Sequence, residues 1–404
     1  MAATRSTLEI SIVGAGLGGL TAAIALRRQG FQVTVFEQTA ELSEIGAGIQ
    51  LGPNAIKVLR ALDLEDDVAK IGFEPNRHIM RSWKGGRTLY ATPMKSVFER
   101  KFGARYYLAH RADLHAILSR ALPDNCIQLG AACQGVRSVD ERAVLTLADG
   151  REIESDVIIG ADGIHSAVRN SLFGPDAPRF TGNICWRGTV PIEALPAGMI
   201  EPSTTVWLGP RGHVVHYLVR GGKLVNFVAS LQADDWREES WTLEGDPDEL
   251  LHAYDGWDPR LTELLAKTEK CYKWALYDRD PLPRWSVGQV TLLGDAAHPM
   301  LPYLAQGACM AFEDGYILAS LLAGSDASVA EILQQYETLR LPRTARVQLT
   351  ARARADINHL ASPWARFRRN FGYALRKLLK PGQTGYQIEW VYGYDATSET
   401  HQGP

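Results

Sequence analysis

The sequence predicts an α/β fold: a Rossmann-like dinucleotide-binding domain, an antiparallel sheet inserted into it, and a C-terminal helical segment. Three observations predict it. Residues 10–37 read as strand, glycine-rich turn, helix, second strand and acid. Two later stretches, 157–169 and 290–308, each run from a short apolar strand into a turn of glycine and aspartate. Between them, runs such as Thr205–Leu208, His213–Arg220 and Leu224–Leu231 alternate as antiparallel strands do, with proline- and tryptophan-rich connections.

Ile10, Ile12 and Val13 form the first buried strand, which breaks at Gly14-Ala15-Gly16-Leu17-Gly18-Gly19. Leu20, Ala23, Ile24 and Leu26 follow at the spacing of a helix packed on a sheet. Phe31–Phe36 is the second strand, ending on Glu37. A G-x-G-x-x-G in this context is a dinucleotide fingerprint. Gly14 allows the tight turn, Gly16 lets the backbone approach a pyrophosphate at the helix N-terminus, and Gly19 lets helix and strand close up. Glu37 is placed to accept hydrogen bonds from ribose hydroxyls. The motif by itself does not separate NAD from FAD.

Gly46-Ala47-Gly48-Ile49-Gln50 reads as a glycine-rich loop and short strand beside any ligand of the first motif, and Asn54–Leu62 as an amphipathic helix. Residues 76–104 read as irregular. Tyr106–Arg111 is a strand and Ala112–Leu122 a helix. Arg111 at their junction is either a cation for a phosphate or a surface ion pair. Ile127–Ala148 reads as a meander closing at Asp149-Gly150. In Gly160-Ala161-Asp162-Gly163-Ile164-His165-Ser166-Ala167-Val168-Arg169, Asp162 is either a ligand-facing acid or a helix N-cap.

Alternation places His213 and Tyr217 on one face of a strand and His216 on the other. Val290–Leu293 leads into Gly294-Asp295-Ala296-Ala297-His298-Pro299, then Pro302-Tyr303 and a helix through Leu322. Backbone N–H groups of residues 306–308, near that helix N-terminus, can hold negative charge. His298 is either catalytic or structural, and its place before Pro299 favours the structural reading. Residues 334–355 are helical, with Arg340, Arg343, Arg346, Arg352 and Arg354 expected mostly on solvent faces. Residues 364–380, aromatic and basic, read either as a membrane-surface or partner helix or, as the favoured reading, as a solvated helix packed by Trp364, Phe367, Phe371 and Leu375; the aromatic tail Trp390–Asp395 is expected to dock on the body.

A chain of 404 residues can bury a large core and suggests two or three domains. A net charge of -3 without a dense basic tract does not imply nucleic acid. No apolar run reaches the length of a membrane span, and the N-terminus does not read as a secretory signal. The five cysteines are scattered and form no C-x-x-C, so no metal site or disulfide framework is expected, and a cytoplasmic setting fits best.

With three cassettes in this order, the chain resembles the single-component flavin-dependent aromatic hydroxylases of the para-hydroxybenzoate hydroxylase fold. The resemblance spans nearly the whole chain. It implies a discontinuous FAD-binding domain (7–75, 105–182 and 280–345), a substrate domain (76–104 and 183–279) and a C-terminal helical segment (346–404). It implies FAD contacts at Gly14, Gly16, Leu17, Gly19, Glu37, Gly48, Arg111, Asp162, Asp295, Pro302, Gly307 and Ala308. GAGIQLGPNA, GHVVHYLVRGGKLVNFVA and PYLAQGACMAFEDG look like the salicylate and 3-hydroxybenzoate hydroxylase branch. His213 with Tyr217, and the WVYGYD tail, also resemble 6-hydroxynicotinate 3-monooxygenase. Gln50 and Tyr303 stand where that enzyme is expected to carry histidines, which favours a benzenoid acid over a pyridine.

The resemblance implies hydroxylation of a small hydroxylated aromatic acid, with or without loss of its carboxylate. NADH or NADPH would be the reductant, NADH favoured, and O2 would react through a flavin C4a-hydroperoxide. His213, with Tyr217 beside it, is the expected general base or its relay. Gln50, Tyr303 and His216 are the expected substrate contacts. A monomer or homodimer is expected. The rivals are a flavin reductase that does not hydroxylate and an NAD-dependent dehydrogenase.

Overall fold

The computed structural model describes residues 8–42, 47–233, 243–379 and 387–399. Gly46 of the glycine-rich loop lies outside them.

The strand Glu9–Val13 is the centre of a five-stranded parallel sheet. Gln32–Phe36 and then Ile127–Gln128 lie on one side of it, and Val157–Gly160 and then Val290–Leu292 on the other. These strands are apolar because both faces are covered: Ile12, Val35, Val157, Ile158 and Ile159 have no exposure. All three glycine-bearing turns therefore leave the same carboxyl edge of one sheet, the edge where parallel α/β sheets bind ligands. The helix Leu17–Arg28 packs on the helix Gly307–Gly324, and Gly315 makes this possible, since a Cβ there would lie 2.9 Å from Ala22 backbone atoms.

The second sheet has eight strands, in the order Glu244–Gly245, Cys271–Asp278, Arg179–Pro191, Leu224–Gln232, Gly212–Val219, Ser203–Leu208, Arg77–Ser82, Thr88–Pro93. All pairs are antiparallel except Ser203–Leu208 with Arg77–Ser82. Residues 77–93, expected to be irregular, form a hairpin, because the pairing partner that defines them lies more than a hundred residues away. Trp186, Trp207 and Trp257 pack in a core between this sheet and the helices Pro247–Ala253 and Pro259–Ala266. A two-stranded ladder, Gly48–Leu51 with Tyr107–His110, carries Gln50. The expected meander resolves into one strand of the parallel sheet, Ile127–Gln128, and a separate sheet of Cys133–Val139, Arg142–Leu147 and Glu152–Ser155.

The C-terminal part corrects two expectations. The helix Val329–Asn358, started by a Ser328/Glu331 capping box, exposes Arg346 but does not put most of its arginines in solvent. Arg340 is fully buried, Arg354 is buried, and the Arg343 side chain is nearly so, because carboxylates wait for the first and third: Arg340 meets Glu313 at 2.8 Å and Asp314 at 2.7 Å, and Arg343 meets Glu313 at 2.7 Å. In the helix Pro363–Leu379 it is Tyr373 that packs inward, against Tyr90, while Trp364 and Phe371 remain 69% and 60% exposed. Periodicity showed an apolar stripe there but not which side met the protein. The tail docks as expected: Tyr392 packs among Phe98, Phe102 and Tyr106.

Candidate active site

Two regions adjoin at the carboxyl edge of the parallel sheet. The first is the glycine-rich turn. Gly14 has φ +104°, and a Cβ on it would lie 2.5 Å from the Ala161 oxygen. A Cβ on Gly19 would lie 2.0 Å from the Gly14 oxygen, so only glycine fits either place. Gly16 differs: a Cβ there meets nothing within 4 Å, so its surroundings are open. No side chain caps the helix that Leu17 opens, which leaves its first N–H groups for a ligand. Glu37 braces the turn, accepting from the Ala15 N–H at 2.8 Å and the Thr39 N–H at 2.9 Å. His115 donates from Nε2 to the Ala15 oxygen at 2.8 Å.

Asp162 accepts from the Ser166 hydroxyl at 2.5 Å and the Val168 N–H at 3.1 Å, while Ser166 is the N-cap of the next helix. Asp162 therefore organises a helix start without being its cap. Burial raises its carboxyl above the usual range, against the hydrogen bonds it accepts. Arg169 ties the second turn to the third, donating to the Ile164 and Ala296 oxygens.

The second region is a deep cavity between the two large sheets. Asp295, Arg111, Pro302, Gly307 and Ala308 line one part of it. Asp295 is open to the cavity yet surrounded by protein. Burial raises its carboxyl; His298 and Arg111 pull it down. His298 is buried and bonded through Nε2 to Asp314 at 2.6 Å, the structural role expected for it. The helix Gly307–Gly324 has no side-chain cap, and its first residues, Gly307 and Ala308, line the cavity at the positive end of the helix dipole.

Gln50, His213, Tyr217 and Tyr303 line the same cavity. Gln50 is held by two phenols: Tyr106 donates to its Oε1 at 2.7 Å, and Tyr217 hydrogen-bonds its side chain. Gly48 is pinned from both sides, its N–H donating to Asn226 Oδ1 at 2.6 Å and its oxygen accepting from Arg187 at 3.0 Å. A Cβ there would lie 2.6 Å from Asn226 and 2.7 Å from Tyr217, so packing alone demands glycine.

Two site expectations are corrected. Tyr217 is not beside His213: four residues along a strand separate their Cα atoms by ~13 Å. The rings beside His213 are Tyr303 and His359, at 5.3 and 5.0 Å between centroids. His216 does not line the cavity; it stacks on Trp207 on the far face of the sheet, and burial lowers it to about 3.

Sequence reasoning also missed residues here. His213 Nδ1 is 2.8 Å from His359 Nε2, and His359 Nδ1 is 2.8 Å from Asn183 Oδ1. His359 follows a thirty-residue helix and Asn183 stands on an irregular strand, so no local pattern marks either. Burial, then His359 and Arg369, hold His213 well below the ordinary imidazole value, and burial lowers His359 to about 4. Arg187, against the Trp274 ring at 5.4 Å, puts a cation in the cavity wall.

Residues 7–351 match the model of the FAD binding domain family. The chain belongs to this family of flavoproteins. It is 39% identical to 3-amino-4-hydroxybenzoate 2-monooxygenase of Streptomyces platensis, over 96% of each chain. It is 38% identical to 6-hydroxynicotinate 3-monooxygenase of Pseudomonas fluorescens, over 96% of this chain and 95% of that one. Among solved structures, Klebsiella pneumoniae HpxO complexed with FAD and uric acid matches with a TM-score of 0.84 at 26% identity, covering 98% of this chain and 97% of that one. A salicylate hydroxylase substrate complex matches with a TM-score of 0.82 at 28% identity, covering 98% of both chains. The flavoprotein is thus an FAD-dependent aromatic monooxygenase by family. Its glycine turn fits that cofactor: Gly16 is open where a pyrophosphate needs backbone approach, and two uncapped helix N-termini are free to receive negative charge. No helix among the described residues is long and apolar enough to cross a membrane.

Proposed function

We propose that this monooxygenase hydroxylates the ring of a small phenolic benzenoid carboxylate, with NAD(P)H as reductant. The observation that carries the reading is His213, a neutral buried imidazole on the wall of the cavity that also holds Asp295 and Gly307. FAD, when bound, supplies the electron transfer from NAD(P)H and the activation of O2. Glu37 and the Gly14–Gly19 turn would hold its adenosine half, Arg111 its phosphates and Asp295 its ribityl chain. The Gly307 and Ala308 N–H groups would hold negative charge on the flavin ring.

His213 does the acid–base work. It takes the phenol proton on Nε2; the O–H bond breaks and its electron pair stays on the oxygen, raising electron density at the ring carbons ortho and para to it. The imidazolium and phenolate then form an ion pair, which offsets the burial that otherwise keeps His213 neutral. Tyr217 stays protonated, because burial raises its phenol well above the ordinary value while the hydrogen bond from Gln50 only opposes that rise. Arg187 is the cation for the carboxylate, and Tyr303 bears on the ring. The buried walls exclude water from the reaction.

The relatives named for 3-amino-4-hydroxybenzoate and 3-hydroxybenzoate support a benzenoid acid. The 6-hydroxynicotinate relative supports a hydroxypyridine acid as the second reading. The test is NADH and NADPH oxidation by the flavin-loaded enzyme across hydroxybenzoates, aminohydroxybenzoates and hydroxypyridine carboxylates, with product identified. Stimulated oxidation with a hydroxylated benzenoid product is expected. Turnover of the pyridine alone would select the second reading, and oxidation without any hydroxylated product would overturn both.

A further inference from the structure

The geometry points to His359 as a positioning residue that holds His213 in the tautomer presenting a bare Nε2 to the cavity, an assignment that rests on the reading of His213 as the base. The chain of donors runs inward from Asn183. Its Nδ2 donates to the Thr181 oxygen at 3.1 Å and to Thr181 Oγ1 at 3.2 Å, which leaves Oδ1 to accept. An amide oxygen cannot donate, so His359 Nδ1, 2.8 Å away, carries a hydrogen. In a neutral imidazole the other nitrogen is then an acceptor. His213 Nδ1, 2.8 Å from His359 Nε2, must therefore carry the hydrogen between them. What remains on His213 is an unprotonated Nε2, the atom a phenol proton requires.

The ends of this chain are neutral. Thr181 Oγ1 donates to the Leu276 oxygen at 2.7 Å, so the chain stops on the main chain and meets no carboxylate. It sets the tautomer and orientation of His213 without placing a negative charge behind it. Both imidazoles are almost fully buried, which keeps them neutral as the argument needs. A register shift between Phe180 and Ile184 bends the strand at Asn183, and His359 is fixed at the helix end by its N–H bond to the Ala355 oxygen at 2.9 Å. Three segments distant in sequence are thus aimed at one nitrogen.

The test compares His359→Leu, His359→Gln and His213→Ala in the flavin-loaded enzyme, with the benzenoid substrate of the previous section. Three quantities are read: flavin reduction by the nicotinamide, hydroxylation rate, and product per nicotinamide oxidised. Loss of a tautomer-fixing partner costs up to ~10⁴-fold in rate. His359→Leu should keep flavin reduction and substrate KM, and lose ~10-fold or more in hydroxylation and coupling. His359→Gln, whose Oε1 can accept from His213 Nδ1, should recover most of that loss. Equal impairment of the two variants would make His359 a packing residue and overturn the assignment. So would wild-type coupling in His359→Leu while His213→Ala is inactive. Full activity of His213→Ala removes the base reading and this assignment with it. If His359→Leu does not fold, Asn183→Leu decides: it frees the His359 ring, and the same split is expected, whereas wild-type hydroxylation overturns the assignment.

Discussion

His213 is a strong candidate for catalysis because of what surrounds it rather than because it is a histidine. One nitrogen is tied to His359, the ring is buried, and the cavity lies against the other side. Flavin reduction needs no base, but phenol activation does. His213→Ala is therefore expected to keep substrate-stimulated flavin reduction while hydroxylation falls ~100-fold or more and hydrogen peroxide replaces product. Product per NADH consumed is the measurement. Tyr217 is expected to behave differently, since it lies ~13 Å along the strand and shares Gln50 with Tyr106. Tyr217→Phe should raise substrate KM and leave coupling near wild type; a fall in coupling like that of His213→Ala would return Tyr217 to the proton-transfer step.

At the scale of elements, the glycine turn separates two uses of glycine. Gly19 is required by the fold, because its Cβ would lie 2.0 Å from the Gly14 oxygen. Gly16 faces open space, so no protein atom requires glycine there. Gly19→Ala should therefore destabilise the apoprotein, measured as a lower Tm. Gly16→Ala should leave the apoprotein Tm within a few degrees and lower FAD affinity, measured by flavin titration. Unchanged FAD affinity in Gly16→Ala would move the pyrophosphate elsewhere. The helix Pro363–Leu379 teaches the converse lesson. Its period is legible, yet it is Tyr373 that meets the sheet, against Tyr90, and the stripe the pattern suggested as packed is exposed.

Across the whole molecule, buried charge ties the C-terminal helix to the cofactor edge. Arg340 bridges Glu313 and Asp314, Asp314 holds His298, and Asn54 Nδ2 reaches Glu313 at 2.8 Å. Burial raises the Asp314 carboxyl, but His298 and Arg340 outweigh it and hold it below the usual range. Removing one member strands the others in a low dielectric, so Arg340→Met is expected to cost about 3–5 kcal/mol by denaturant unfolding. A loss under ~1 kcal/mol would show that the carboxylates find other partners.

Protons act through the buried imidazoles. His216 and His359 titrate in the folded chain at about 3 and about 4, against an unfolded value near ~6.5. Above pH ~6.5 both states are neutral and their contribution is complete. Below it the unfolded chain binds protons first, so stability falls as pH drops toward the folded values. The raised carboxyls of Asp162 and Asp295 act in the opposite sense, so the contribution is read as a difference. His216→Gln is expected to flatten the decline of Tm between pH 6.5 and 4 relative to wild type; an unchanged slope would mean that His216 titrates normally.

The nucleotide half was legible because its signals are local. A strand, a turn that tolerates only glycine, a helix and an acid lie within thirty consecutive residues, and steric necessity at Gly14 and Gly19 writes itself into the residue type. Alternation likewise placed His213 and Tyr217 on one face and His216 on the other. What alternation cannot state is which rings meet a side chain from other segments: Tyr303 and His359, not Tyr217, lie beside His213, and His216 stacks on Trp207 instead of reaching the cavity. The same holds for charge. Arginines on a helix read as solvated until the fold brings carboxylates to them, as it does for Arg340 and Arg343. Asn183, His213 and His359 are each separated by at least thirty residues in sequence, and only the packing of a bent strand against a helix end brings them within 2.8 Å contacts. The sequence by itself determined the family, the glycine turns on one sheet edge and the face that carries His213; only the tertiary structure decided which groups meet His213, because hydrogen-bond partners depend on which groups the fold brings together and not on their order in the chain.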